Sequence, residues 1–144
     1  MVAAADRGAM TARSSGVGAA STGVVVAVAV GGVLGALARY AVGSGWPGGQ
    51  AVPWSTLLIN VTGCLLLGMV AVILERRSAP PWVHPFIAVG VLGGFTTFSA
   101  VAGETLQLLQ DGRVLMALTY WVGTVVAALV GTVVGMAGAR RVLR

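Results

Sequence analysis

The chain has 144 residues, of which 57% are hydrophobic and 9% charged, and its mean hydropathy is +0.93. This composition excludes a soluble domain of this size and indicates an integral membrane protein. The net charge of +5 comes from arginine alone, and the arginines lie at segment ends, which favours membrane-helix flanks over a nucleic-acid-binding surface. The single Cys64 cannot form an intrachain disulfide.

The N-terminal part of the chain divides into a polar and an apolar segment. Residues 1–20 are rich in Ala, Gly and Ser, which predicts a disordered, solvated tail. Residues 21–42 are apolar, and their charged start and small-residue end also resemble a signal peptide. Gly31, Gly32 and Gly35, however, form a small-residue face suited to helix packing. A cleaved segment does not need such a face, so we favour a membrane helix.

Three further apolar segments follow, separated by short connections. The sequence predicts a Gly/Pro-rich turn at 43–53, a second segment at 54–74, a Pro-rich loop at 78–85, a third segment at 86–109, a tight turn at Asp111-Gly112-Arg113 and a fourth segment at 114–137. We therefore predict an all-α membrane protein, with a four-helix transmembrane domain at 21–138 and a basic C-terminal tail at 139–144.

The third segment differs from a simple membrane anchor. Gly93-Gly94 weakens the helix, and the hydroxyls of Thr96, Thr97 and Ser99 can bond to freed backbone groups. Inside a bilayer, non-helical backbone is tolerated only where it is buried in protein or lines a wet cavity. We predict a transmembrane helix broken at Gly93-Gly94, an arrangement that builds ion sites from exposed carbonyls and amides.

The arginines predict the orientation of the chain in the membrane. With four spans, both termini and the loop after the second span lie on one side. The arginines on that side are Arg7, Arg13, Arg76, Arg77, Arg140, Arg141 and Arg144, whereas the opposite loops hold Arg113. The positive-inside rule then places both termini in the cytoplasm of a multi-pass cell-membrane protein.

Several polar residues inside the spans have two interpretations each. Arg39 is either a side chain that reaches the interface from a helix end or part of an aqueous vestibule that concentrates anions. Asn60 either bonds across helices or lines a pore. Glu104 is either a helix-end residue near water or the ionisable group of a proton-coupled transporter. Tyr120, Thr124 and Thr132 share one face of the fourth segment, as packing or as a pathway.

Motifs of catalysis are absent from the sequence. His84 has no second His or Cys to complete a metal-ligand set and is expected at the membrane interface. No phosphate-binding loop or nucleophile–base pair is recognisable. We therefore predict that the protein is not an enzyme.

Three motifs follow one another along the chain: Gly31-Gly32-Val-Leu-Gly35-Ala-Leu-Ala-Arg39-Tyr40, Ser55-Thr56-Leu-Leu-Ile-Asn60-Val-Thr-Gly63 and Gly93-Gly94-Phe95-Thr96-Thr97-Phe98-Ser99. In their order and spacing they resemble the signatures of the CrcB/Fluc family of fluoride channels. The resemblance extends from about Gly31 to the end of the fourth segment. It implies a passive channel that exports fluoride from the cytoplasm and so lowers its toxicity, assembled as an antiparallel dimer of identical or related chains.

The resemblance also implies roles for particular residues. The backbone carbonyls of Gly93 and Thr96 would hold a structural sodium ion that is not transported. Phe98 would meet fluoride with the positive edge of its ring. Asn60 would line the pore, Arg39 the vestibule, and Tyr120 and Thr124 a polar track, while Thr97, Ser99 and Glu104 complete the expected pathway.

The chain departs from the family pattern after Ser99. Where the family has its second pore phenylalanine, this chain has Val101. Where the family has two flanking hydroxyl residues, this chain has Ala100 and Ala102. Together with the one-sided arginines, this favours a partner that is a related, oppositely oriented subunit. A non-conducting or half-functional subunit of a heterodimeric fluoride channel is the alternative. A small cation antiporter is less favoured because the first segment carries Arg39 rather than a carboxylate.

Overall fold

The structure is a computed structural model that describes residues 5–46 and 52–144, with side chains from Thr22 onward. In these residues all regular structure is helical: α1 (Ala5–Ser44), α2 (Trp54–Glu75), a π-helix (Pro85–Leu92), α3 (Gly93–Phe95), α4 (Phe98–Gln110) and α5 (Val114–Val142). The spans long and apolar enough to cross a membrane are Thr22–Ser44, Trp54–Glu75, Pro85–Gln110 and Val114–Val142. The predicted all-α class with four membrane spans is confirmed.

The ends of the chain are more helical than the sequence indicates. Helix α1 begins at Ala5 and so includes residues 5–20, for which the composition predicts a disordered tail. At the other end α5 continues to Val142, so most of the predicted basic tail is helical. The predicted turn at 43–53 lies partly outside the described residues, as do residues 1–4.

Close helix packing follows two pairs of elements. Helix α1 packs along the π-helix and α3, and α2 packs along α5. A side chain at Gly35 would overlap the carbonyl oxygen of Val91, and one at Gly68 would overlap that of Thr132. Without a hydrophobic driving force between helices in lipid, such backbone-to-backbone approach is what stabilises a helix pair. Gly31 and Gly35 therefore have the packing role that the sequence predicts, whereas a side chain at Gly32 would meet nothing within 4 Å.

The turn between α4 and α5 follows a Schellman geometry. The amide of Arg113 donates to the carbonyl of Leu108, and the amide of Gly112 donates to that of Leu109. Gly112 has a φ of 75°, which glycine adopts without steric cost. The predicted tight turn is confirmed, and it returns α5 antiparallel to α4. Val101, Leu108, Ala117 and Tyr120 form the buried cluster between these helices.

The third span is interrupted later than predicted. Gly93 is helical, with φ −67° and ψ −35°, and Gly94 is part of α3. The non-helical residues are Thr96, with φ −75° and ψ 155°, and Thr97, with φ −147° and ψ 124°. Glycine permits a break but does not require one. At Gly94 its small size serves packing instead, because a side chain there would overlap the carbonyl oxygen of Gly32.

Candidate functional site

Asn60 pairs with the backbone at the interruption of the third span. Its Nδ2 donates to the carbonyl of Thr97 over 2.9 Å, and the amide of Thr97 donates to its Oδ1 over 2.8 Å. Asn60 is buried, 7% exposed. An unpaired buried backbone group costs as much as a lost hydrogen bond, so one side chain removes two such penalties. Of the two predicted roles of Asn60, bonding across helices is therefore observed.

The interruption leaves particular carbonyl oxygens without their helical donors. The amide of Thr97 would continue the helix by bonding to Gly93, but it donates to Asn60. The amide of Ala100 donates over 3.2 Å to Oγ1 of Thr97, which caps α4, and not to the carbonyl of Thr96. The backbone oxygens of Gly93 and Thr96 are thus available to a hard cation.

Arg39 bonds to the same interruption from α1. Its Nε donates to the carbonyl of Gly94 over 3.2 Å, and the side chain is half-buried. The bond places a cation at the C-terminal end of α3, where free carbonyls carry partial negative charge. Arg39 therefore lies in the protein beside the interruption and not only at the membrane interface.

Glu104 is held by two hydroxyl groups. Thr56 donates to its Oε1 over 2.6 Å, and Tyr120 donates to its Oε2 over 2.5 Å. Thr56 and Tyr120 are 6% and 4% exposed. Hydrogen bonds to a carboxylate are about twice as strong as neutral ones, so the group joins α2, α4 and α5. Among the buried side-chain atoms of the described residues, none lacks a hydrogen-bond partner.

Two cavities open at the interruption. The first, of about 200 Å³, is lined by Asn60, Cys64, Thr96, Thr97, Phe98, Val101, Thr124, Val125 and Ala128. The second, of about 420 Å³, is lined by Ala36, Arg39, Tyr40, Gly43, Ser44, Ser55, Thr56, Ile59, Thr97 and Ala100. Thr97 belongs to both cavities. The interruption therefore lies between a cavity lined by the ring of Phe98 and a cavity lined by the guanidinium group of Arg39.

The structure brings most of the predicted site residues together, but in different surroundings. Asn60, Thr97, Phe98 and Thr124 line the first cavity, and Arg39 lines the second. Tyr120 and Glu104 bond to each other outside both linings.

The remaining predicted residues have more local contacts. Ser99 is exposed, with its hydroxyl 3.3 Å from that of Thr97. The hydroxyls of Thr124 and Thr132 donate to the carbonyls of Tyr120 and Ala128 on their own helix.

Two residues of the site were assigned no role in the sequence. Thr56 is a hydrogen-bond donor to Glu104, and Cys64 lines the first cavity. Both are four residues from Asn60, so they share its face of α2. That spacing was the available signal, but threonine and cysteine are common in apolar helices and do not indicate a site by themselves.

Fold and site together define a small multi-pass membrane protein whose polar groups meet inside the bilayer-spanning region. Comparison with known proteins identifies its class. The family model described as CrcB-like protein, Camphor Resistance (CrcB), matches residues 26–136. This range includes the second and third spans, most of the first and fourth, and every predicted site residue, and it covers more than half of the chain.

Curated relatives match over most of their length. The fluoride-specific ion channel FluC 2 of Nocardia farcinica is 46% identical over 119 residues, 81% of this chain and 85% of the relative. The fluoride-specific ion channel FluC of Nitrobacter winogradskyi is 42% identical over 115 residues, which cover 78% of this chain and 91% of the relative. The fluoride-specific ion channel FluC of Thermus thermophilus is 45% identical over 104 residues, which cover 71% of this chain and 82% of the relative.

This chain belongs to the CrcB family. The relatives named above are ion channels, so the prediction that the protein is not an enzyme is confirmed. The resemblance that three short motifs indicate is likewise confirmed over the whole membrane region.

Proposed function

We propose that this chain is a fluoride-specific passive ion channel that releases fluoride from the cytoplasm and so lowers its toxicity. The observation that carries the proposal is the identity of 46% to a fluoride-specific ion channel over 81% of the chain. The polar interruption at Thr96 and Thr97 supports it, because irregular backbone at membrane depth is tolerated where it is buried in protein or lines a wet cavity, and two cavities border this interruption.

The pathway follows from the order of the two cavities. Arg39 attracts the anion into the larger cavity, where Ser55 and Thr56 add hydroxyls. At the interruption, Thr97 and Ser99 offer polar groups in place of water. In the smaller cavity the ion meets Asn60 and Thr124, and the edge of the Phe98 ring, whose hydrogens carry partial positive charge. In this proposal fluoride moves down its own electrochemical gradient, so transport is passive.

A structural sodium ion belongs to this proposal. The carbonyl oxygens of Gly93 and Thr96 would hold it, and both lack their helical donors for the reason given above. A hard cation prefers such oxygen ligands. The ion would supply a fixed positive charge at the interruption and would not be transported. Replacing sodium in the vesicles by a large organic cation is expected to slow fluoride efflux.

The channel assembles as an antiparallel dimer in the lipid bilayer. Phe98 is 68% exposed in the single chain, so a second subunit must cover its ring if the ring is to face an aqueous pathway. The arginines favour one orientation for this chain, with both termini cytoplasmic, so the partner is a related, oppositely oriented subunit.

Val101 favours a second candidate function, that of a non-conducting or half-functional structural subunit. The family's second pore phenylalanine is missing here, and Val101 is 2% exposed in the cluster between α4 and α5. A cation antiporter is not supported, because Arg39 lies at the interruption and the carboxylate of Glu104 is bonded to Thr56 and Tyr120.

Fluoride efflux from sodium-loaded liposomes holding the purified chain tests the proposal, with chloride efflux as the control. We expect fluoride efflux without chloride efflux from the chain together with its related subunit. Equal efflux of both anions would contradict fluoride specificity. Fast fluoride efflux from the isolated chain would refute the need for a partner, and no fluoride efflux from either preparation would contradict the proposed channel function.

A further inference from the structure

Arginines gather at the end of the molecule where α2 and α5 finish. They are Arg76 and Arg77 after α2, Arg140 and Arg141 in the last turn of α5, and Arg144 beyond it. We call these five residues the arginine cluster. All five side chains are exposed, and in the described part of the chain none of them forms an ion pair with a carboxylate. Their charges are therefore open to an anion from outside the protein.

One hydrogen bond joins the two parts of the arginine cluster. Nη1 of Arg76 donates to the carbonyl oxygen of Leu143 over 2.9 Å, between residues 67 positions apart in the chain. A guanidinium group has several N–H donors, so this bond leaves most of them available. The bond holds Arg76 beside the end of α5 and so brings arginines from two distant segments into one surface.

The length of α5 places the cluster at the depth of lipid headgroups. Helix α5 has 29 residues, and at the rise of an α-helix it is roughly 43 Å long. The hydrocarbon core of a bilayer is about 30 Å thick. A helix of this length that begins at one membrane interface therefore ends among the headgroups of the other leaflet, and its last turn carries Arg140 and Arg141.

A cavity beside the cluster has both polar and apolar walls. Its volume is about 350 Å³, and its lining includes Arg77, His84 and Glu75 together with the apolar Ala71 and Leu74. Ala71 and Leu74 precede Arg77 along α2, so the apolar wall lies toward the membrane interior. A phospholipid has the same order of parts, with acyl chains on the membrane side of a charged headgroup.

Exposed apolar side chains beside the cluster favour a lipid over a soluble polyanion. Val142, next to Arg141, is 86% exposed, and Trp82, two residues before His84, is 49% exposed. Tryptophan is enriched at the level of the headgroups, where its ring is partly apolar and partly wet. A nucleic acid or another soluble polyanion would leave both side chains in water, whereas a lipid covers them.

We propose that the arginine cluster is a binding site for an anionic phospholipid. Its phosphate group accepts hydrogen bonds from the guanidinium groups, which match a phosphate with two parallel N–H donors, and its acyl chains lie along Ala71 and Leu74. The glutamate of the cavity, Glu75, is one carboxylate beside five arginines, so the surface stays positive and selects an anionic headgroup over a zwitterionic one. The bound lipid links α2 to α5, whichever ion the protein conducts.

Native mass spectrometry of the full-length chain tests the class of lipid. The protein is equilibrated in detergent with equal amounts of phosphatidylglycerol and phosphatidylcholine that carry the same acyl chains. We expect the retained lipid to be mainly phosphatidylglycerol. Equal retention of the two lipids would overturn the inference. Displacement of the lipid by inorganic phosphate or by an RNA oligonucleotide at the same concentration would assign the cluster to a soluble anion and would overturn it too.

Paired variants test the residues. Arg140→Gln combined with Arg141→Gln removes two charges from the cluster at exposed positions, whereas Arg113→Gln removes an arginine at the opposite end. Each arginine near an anionic membrane surface strengthens binding about fivefold. We therefore expect the preference for phosphatidylglycerol to fall roughly 25-fold in the double variant and to change less than about twofold in Arg113→Gln. An undiminished preference in the double variant, or equal losses in both proteins, would contradict the proposed site.

Thermal unfolding gives an independent measurement. A ligand that binds only the folded state raises the unfolding temperature. Relative to phosphatidylcholine, we expect phosphatidylglycerol to raise the unfolding temperature of the wild-type chain and of Arg113→Gln, and to raise that of the double variant much less. The same rise in all three proteins would show that the stabilisation does not come from the arginine cluster.

Discussion

Thr97 contacts the other polar residues at the interruption through its backbone as well as through its side chain. Its backbone pairs with Asn60, its hydroxyl caps α4, and it borders both cavities. The polar groups at the interruption thus satisfy one another, as groups buried away from water must. At the scale of single residues, the site consists of backbone groups whose hydrogen bonds are completed by a few side chains.

Val101 leads to a prediction at this scale. Val101→Phe adds ring volume at a buried residue that borders the cavity of about 200 Å³, so we expect it to lower the free energy of unfolding by about 1–3 kcal/mol. In the two-subunit channel we expect fluoride efflux to rise roughly two- to tenfold, because a second ring edge then faces the pathway. Efflux from liposomes and thermal unfolding measure the two effects.

The control for this change is Val125→Phe, which adds a ring to the same cavity from α5. We do not expect it to raise fluoride efflux. If Val101→Phe leaves the flux unchanged, the chain is better described as a structural subunit.

At the scale of helices, glycine positions determine how closely the spans approach. A side chain at Gly135 would overlap the carbonyl oxygen of Leu65 and lie 3.1 Å from the amide nitrogen of Met69. A side chain at Gly138, on the same helix, meets nothing within 4 Å. The contact between α2 and α5 therefore depends on the first of these residues and not on the second.

Two alanine substitutions test this dependence. Gly135→Ala is expected to lower the free energy of unfolding by about 1–3 kcal/mol, because the helices must move apart. Gly138→Ala should be neutral, or stabilising by up to about 1 kcal/mol, since alanine favours helix. Unfolding of each purified variant in detergent, followed by circular dichroism, measures the difference. Equal stabilities would show that the close approach is unimportant.

The molecule as a whole is asymmetric in charge along the membrane normal. Arg76 from the end of α2 donates to the carbonyl of Leu143 after α5, which joins two arginine-rich helix ends. The single basic residue of the opposite loops is Arg113. This asymmetry predicts one fixed orientation and, with it, the need for an oppositely oriented partner.

Cysteine labelling in intact cells tests the orientation. In a Cys64→Ser background, we expect a membrane-impermeant maleimide to label Asp111→Cys from outside and to reach Ser78→Cys after the membrane is opened. Both positions are exposed in the structure. Comparable labelling of both in intact cells would indicate two orientations and would favour pairing of the chain with itself.

The sequence by itself determined the class, the number of spans and the set of polar residues. Two local properties of the sequence can be recognised without knowledge of tertiary contacts. They are the apolar runs long enough to cross a bilayer and the motifs around Arg39, Asn60 and Phe98. The family comparison confirms the family that those motifs indicate. The α4–α5 turn could also be predicted from the sequence, because Gly112 adopts a positive φ, which residues with a side chain avoid.

The tertiary structure alone decided where the third span is interrupted and which groups meet there. From the sequence, Gly93 and Gly94 are the weakest helix formers, but Asn60 on another helix pairs with Thr97 and so places the interruption three residues beyond the glycines. The hydroxyls of Thr56 and Tyr120 reach Glu104 by the same kind of contact. Propensity acts along the chain, whereas hydrogen-bond satisfaction in a membrane acts between helices, and here the second prevails.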